Sequence, residues 1–110
     1  MIEQQKLFFI IVGRAHAKQT VRLLNRNGFK YHVAMLARGT APTEIQGYFG
    51  LSEPEKALIM CFAQESRAQE LLKLLDGEND FRKPNTGIAF SVRLSGMAGM
   101  SVLNYIKDNE

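Results

Sequence analysis

Leu7-Phe8-Phe9-Ile10-Ile11-Val12 has no polar side, and a second run of the same kind follows at Ala57-Leu58-Ile59-Met60-Cys61-Phe62-Ala63. Short runs apolar on both faces read as strands buried within a sheet, with a partner on each edge. Gly13-Arg14-Ala15-His16 breaks the first run. Ala17, Val21, Leu24 and Gly28 then recur at helical spacing, with Lys18, Arg22 and Asn25 turned outward. This predicts a helix over residues 16–27, stopped by Gly28 as its C′ residue. Residues 31–38 read as a second strand, and residues 55–64 as the third. Ser66 and Gln69 have capping-box spacing. Ala68, Leu71, Leu72 and Leu75 supply the buried stripe of a second helix, closed by Gly77.

A turn-rich stretch then leads through Lys83-Pro84-Asn85-Thr86-Gly87 into Ile88-Ala89-Phe90-Ser91-Val92-Arg93-Leu94-Ser95. Ile88, Phe90, Val92 and Leu94 fall on one side, and Ala89, Ser91, Arg93 and Ser95 on the other. Period-two alternation marks a half-buried strand. The resulting order, βαββαβ, predicts an α+β ferredoxin-like sandwich. Its sheet has four antiparallel strands, with both helices on one face and the two all-apolar strands in the centre. The helices cover one face only, so the other exposes Phe, Ile and Met. A bare apolar face of that size predicts a homo-oligomer formed through it.

The 110 residues suit a single domain, with an ordered core over about residues 6–100. Apolar residues make up 45% of the chain, enough for a core. Fourteen Lys and Arg against eleven Asp and Glu leave a net charge of +3. That balance permits an anionic ligand and does not demand nucleic acid. One cysteine, Cys61, allows no intrachain disulfide and suits a cytoplasmic protein. Its apolar surroundings make it a buried, inert thiol. The first apolar run is too short to span a membrane, so no direct membrane insertion is expected.

Catalytic signals are sparse. His16 and His32 are the only histidines, and no nearby Cys or Asp/Glu pair completes a metal set. His32 reads as an edge or interface residue. No G-x-x-x-x-G-K-[ST] occurs, and no serine resembles a nucleophile elbow. The reading is therefore a protein that is not an enzyme. Two loops carry ligand chemistry. One follows strand two and holds Arg38, Gly39 and Thr40. The other precedes strand four and holds Lys83, Asn85, Thr86 and Gly87. Each combines a cation with glycine and hydroxyl groups, which suit phosphate or carboxylate oxygens. Arg93 adds a cation on strand four. The segment 39–54 is long for a compact domain. With Ile45, Tyr48, Phe49 and Leu51 it is too apolar for simple disorder. It reads either as a segment that orders on a ligand or partner, or as a short packed helix over residues 43–48.

Three segments carry a family resemblance: Ala37-Arg38-Gly39-Thr40-Ala41, Asn85-Thr86-Gly87-Ile88-Ala89-Phe90 and Leu94-Ser95-Gly96-Met97-Ala98-Gly99. With the βαββαβ order and the long loop after strand two, they resemble a divergent branch of the nitrogen regulatory PII-like family. The resemblance implies a homotrimer with nucleotide clefts between subunits. It also implies a T-loop, here about residues 40–54, that contacts a target protein such as an enzyme or transporter. Ile45, Tyr48 and Phe49 would then lie on that contact loop. ATP-binding members carry a basic residue after the glycine that opens strand four, and arginines past that strand. This chain has Ile88 and Gly96-Met97-Ala98-Gly99 there. Each lost charge-assisted contact removes on the order of 1.5–3 kcal/mol. The implied small-molecule effector is thus an adenine nucleotide, AMP or ADP rather than ATP, or bicarbonate. The polar side of strand four (Ala89, Ser91, Arg93) would face the subunit boundary. The same element order also admits an RRM-like RNA-binding module or a ligand-free structural trimer. Strand three lacks the RRM glycine-aromatic pattern, so no nucleic-acid partner is expected.

Overall fold

The computed structural model describes residues 4–38, 55–83, 86–96 and 98–99. Strand β1 spans Gln5–Gly13, helix α1 Ala17–Arg26, β2 His32–Arg38, β3 Glu55–Gln64, helix α2 Ala68–Gly77 and β4 Gly87–Arg93. The sheet order is β2-β3-β1-β4, and every neighbouring pair is antiparallel. The two all-apolar strands are central, as their composition requires. The element order and sheet are those of the ferredoxin-like α+β sandwich. No helix among the described residues is long and apolar enough to cross a membrane.

Each central strand alternates between its two faces. Phe8, Ile10 and Val12 of β1, with Ala57, Ile59, Cys61 and Ala63 of β3, are fully or almost fully buried. They pack with Leu23 and Leu24 of α1, Leu71 and Leu75 of α2, and Phe29. Burying one such large side chain contributes about 1.5–3 kcal/mol. Arg67 fastens the two helical halves together. Its guanidinium lies 4.0 Å above the Phe29 ring centroid, and its Nη2 donates to the Asn27 carbonyl at 2.8 Å.

Helix α1 ends as its sequence predicts. Gly28 adopts φ +85°. Its N–H reaches the Asn25 carbonyl at 3.2 Å, and the Phe29 N–H reaches that of Leu24 at 2.8 Å. This paired arrangement is a Schellman motif, closed by contact between apolar residues. The start of α2 differs from expectation. A 3-10 turn over Glu65–Arg67 leads in, and Arg67 caps the helix without a side-chain cap bond. Its far end also differs. Gly77 is the last helical residue, and the left-handed conformation falls three positions later, on Asp80 at φ +60°.

The second face of the sheet carries Leu7, Phe9 and Ile11 from β1 and Leu58, Met60 and Phe62 from β3, all half-buried. Val33, Met35, Phe90 and Val92 flank them, each more than two-fifths exposed. Phe9 and Phe90 are cross-strand partners whose rings stack 5.3 Å apart. The expected bare face is therefore present. One orientation needs correction. The polar side of β4 does not look away from the helices. Ala89 packs against the core, and Arg93 bonds Glu65 at the turn before α2. It is Ile88, Phe90 and Val92 that extend the bare face, because their partners in register are Ile11, Phe9 and Leu7.

Candidate functional site

Antiparallel pairing brings four strand ends to one edge of the sheet. Gly13 closes β1 opposite Lys56, Arg38 closes β2 opposite Glu55, and Gly87 opens β4 opposite Val12. A cleft of about 280 Å³ lies at the β2–β3 side of this edge, lined by Arg14, Leu36, Ala37, Arg38, Glu55 and Lys56. Three of the six are cations and one is a carboxylate.

Lys56 is the unusual member. It is 6% exposed, yet its Nζ has no hydrogen-bond partner among the described residues. A buried ammonium without a partner costs several kcal/mol of lost hydration. The carboxylate lining the cleft is already committed: Glu55 Oε2 accepts from Arg14 Nη1 at 3.3 Å. Arg38 stands directly across the strand pair from Glu55 and forms no ion pair with a described residue. The cleft thus holds net positive charge around an ammonium that water does not reach. An anion seated in the cleft is favoured by this net positive charge.

The residues singled out from sequence divide into groups. Arg38 lies in the cleft. Thr86 and Gly87 stand at the same sheet edge on the far side of β1, with Thr86 7% exposed. Three strand spacings separate β2 from β4, roughly 14 Å. One small ligand therefore cannot touch both corners within one copy of the chain. Lys83 is solvated and sits 3.7 Å from Asp80. Arg93 is at the opposite end of β4, roughly 20 Å from Gly87 along the strand. There it bonds Glu65 at 2.9 Å, with Lys6 4.0 Å from the same oxygen. Gly39, Thr40, Asn85, Ile45, Tyr48 and Phe49 lie outside the described residues, as does the alternative helix over residues 43–48.

Gly87 has a structural reason independent of any ligand. A Cβ there would meet the Ile11 carbonyl oxygen and the Phe81 ring, each at 2.8 Å. Beside it is a second cleft, of about 340 Å³, whose lining includes Leu72, Leu75, Asp76, Phe81 and Ala89. The histidines stand apart from both clefts. His32 Nε2 lies 2.8 Å from Asn25 Oδ1, and burial lowers its pKa from the ordinary value. The His16 carbonyl accepts from Thr20 Oγ1 at 2.9 Å. No group of three potential metal ligands occurs among the described residues.

Sequence reading missed Arg14, Glu55 and Lys56 as a set. Arg14 was read only as part of the break after the first apolar run, and Glu55 and Lys56 only as the start of the third strand. A lysine next to an all-apolar run was the one available signal, since strand pairing buries whatever flanks such a run.

Among solved structures, the chain is similar to a protein of Thermus thermophilus assigned to the PII-like signalling proteins. The TM-score is 0.62 at 22% identity, covering 84% of this chain and 87% of the other. It is also similar to CPII, a nitrogen regulatory PII-like protein from Thiomonas intermedia. The CPII structure with ADP, AMP and bicarbonate gives a TM-score of 0.61 at 19% identity, covering 86% of this chain and 96% of that one. The structure with ADP, AMP and acetate gives 0.63 at 18%, covering 86% and 91%. At these identities the likeness shows the fold, and the fold is that of the PII-like proteins. No family model matches the sequence, and no curated protein matches it.

Proposed function

We propose that this chain is a non-catalytic, cytoplasmic PII-like sensor. In this reading a small anion or an adenine nucleotide binds at the sheet edge, and the segment 39–54 carries the signal to a target protein. The observation that supports the reading best is the buried Lys56 ammonium, which lacks a hydrogen-bond partner among the described residues in a cleft shared with Arg14 and Arg38. The ligands named for the structural neighbours, ADP, AMP, acetate and bicarbonate, are of the class such a cleft accepts.

A homotrimer completes the reading. The exposed apolar face, with Phe90 and Val92 at its margin, needs cover. A neighbouring copy would also bring its own Gly87 corner up to the Arg38–Lys56 corner, which one chain keeps apart. AMP, ADP or bicarbonate would then lie between subunits, and Ile45, Tyr48 and Phe49 would meet the target. The face suits protein better than RNA. An RNA platform offers aromatics among cations, whereas here Phe9 and Phe90 stack on each other among aliphatic side chains.

Calorimetric titration of the purified protein with AMP, ADP, ATP, bicarbonate and acetate tests the proposal. AMP, ADP or bicarbonate should bind, and Lys56→Gln should weaken binding at least about tenfold, the loss of one charge-assisted contact. Absence of binding by every one of these compounds would refute it.

A further inference from the structure

Glu55 is out of place in a cleft built for anions. It is the first residue of β3, directly opposite Arg38 in the β2–β3 register. Directly opposed residues share one face of a strand pair, with Cβ atoms about 4.5–5.5 Å apart. Its Oε2 also takes the Arg14 Nη1 hydrogen at 3.3 Å. One carboxylate therefore stands between the two arginines and holds part of the attraction an incoming anion would otherwise receive. Lys56, the next residue, lies on the other side of the strand, where Glu55 gives it no hydrogen bond.

We propose that Glu55 is the charge-selectivity residue of this cleft. It acts as a built-in competing carboxylate whose repulsion grows with ligand charge, so that it weakens nucleotide phosphates and other multiply charged anions more than small carboxylates or bicarbonate. The inference rests on the anion site proposed above and adds the rule by which that site chooses. The rule follows from Coulomb's law. The repulsion between Glu55 and a bound anion scales with the anion's charge, whereas shape and hydrogen bonding do not. Across roughly 6 Å of water-like dielectric the penalty is about threefold in affinity per unit of ligand charge. Arg14 and Glu55 are each more than half exposed, so a water-like dielectric is the appropriate one.

The test compares the unaltered protein with Glu55→Gln, using acetate as the monoanion and sulfate as the dianion. Binding is followed by the shift of backbone amide resonances in NMR titrations. Glu55→Gln should tighten acetate about threefold and sulfate about tenfold. The gain for sulfate should shrink as sodium chloride is raised. A merely structural glutamate would change both anions by the same factor, or neither. Equal gains, no gain, or weaker binding in the variant, with anion binding to the unaltered protein intact, would overturn the selectivity role alone. If neither protein binds either anion, the anion site itself fails and the inference falls with it. A melting curve superimposing on that of the unaltered protein shows that Glu55→Gln is folded.

Discussion

Lys56→Met should separate stability from ligand response, and in opposite directions. The lysine is 6% exposed and its Nζ is shielded from water without a compensating hydrogen bond from any described residue. Methionine keeps most of the apolar stem and removes the charged head. Replacing buried charge with an apolar residue of similar volume is neutral or stabilising by about 1–4 kcal/mol, depending on how well the charge was compensated. With Nζ uncompensated, a gain of about 1–2 kcal/mol is expected in the ligand-free protein. For a domain of about 100 residues each kcal/mol shifts Tm by roughly 4–8 °C. The variant should therefore melt roughly 4–15 °C higher in a buffer of chloride salts. Saturating AMP should then act differently on the two proteins. At a hundred times Kd a ligand adds about 2.7 kcal/mol to the protein that binds it. The unaltered protein should rise by that amount, and Lys56→Met should barely move. Differential scanning fluorimetry with and without AMP reads both effects. A variant that melts lower without ligand and keeps its response to AMP would refute the account of Lys56.

Three further outcomes follow from the geometry. Gly87→Ala should destabilise by about 1–3 kcal/mol in urea unfolding, since the new methyl meets a β1 carbonyl and the Phe81 ring at 2.8 Å; unchanged stability would show that this corner yields to an added methyl. Phe90→Lys, placed at the margin of the bare face, should reduce the assembled mass to that of one 12.4 kDa chain in light scattering, and a persisting trimer would put the interface elsewhere. His32 has its pKa lowered by burial from the ordinary value of 6.5. The unfolded chain then binds more protons between the folded pKa and 6.5. Stability contributed by neutral His32 is therefore complete above that window and is lost as pH falls through it. His32→Gln should flatten the stability profile just below pH 6.5, and an unchanged slope there would assign it to other groups.

Much of the fold was legible because hydrophobic periodicity is a local property. Leu7 to Val12 and Ala57 to Ala63 could only be central strands, and the αL glycine after α1 was readable from Gly28 alone. The end of α2 was less so. Gly77 looked like the stop, but Leu74 and Leu75 carbonyls accept from Asn79 and Phe81, carrying the turn on to Asp80. The orientation of β4 was misread for a related reason. Alternation separates two faces of a strand without saying which one meets the helices. Here both could be buried, and packing of Ala89 on the core decided it.

The site divides along the same line. Sequence alone determined the βαββαβ order, the two central strands and a bare apolar face, because each depends on spacings within one segment. Arg38 was also found this way, as a cation beside a glycine. Only the tertiary structure joined Arg14, Arg38, Glu55 and Lys56 in one cleft and sent Arg93 to the other end of the sheet. Those placements depend on register between strands distant in the chain, and a shift of one residue would reverse every face. The decisive property of Lys56, an ammonium cut off from water with no hydrogen-bond partner among the described residues, belongs to its surroundings and is not visible in any residue taken singly.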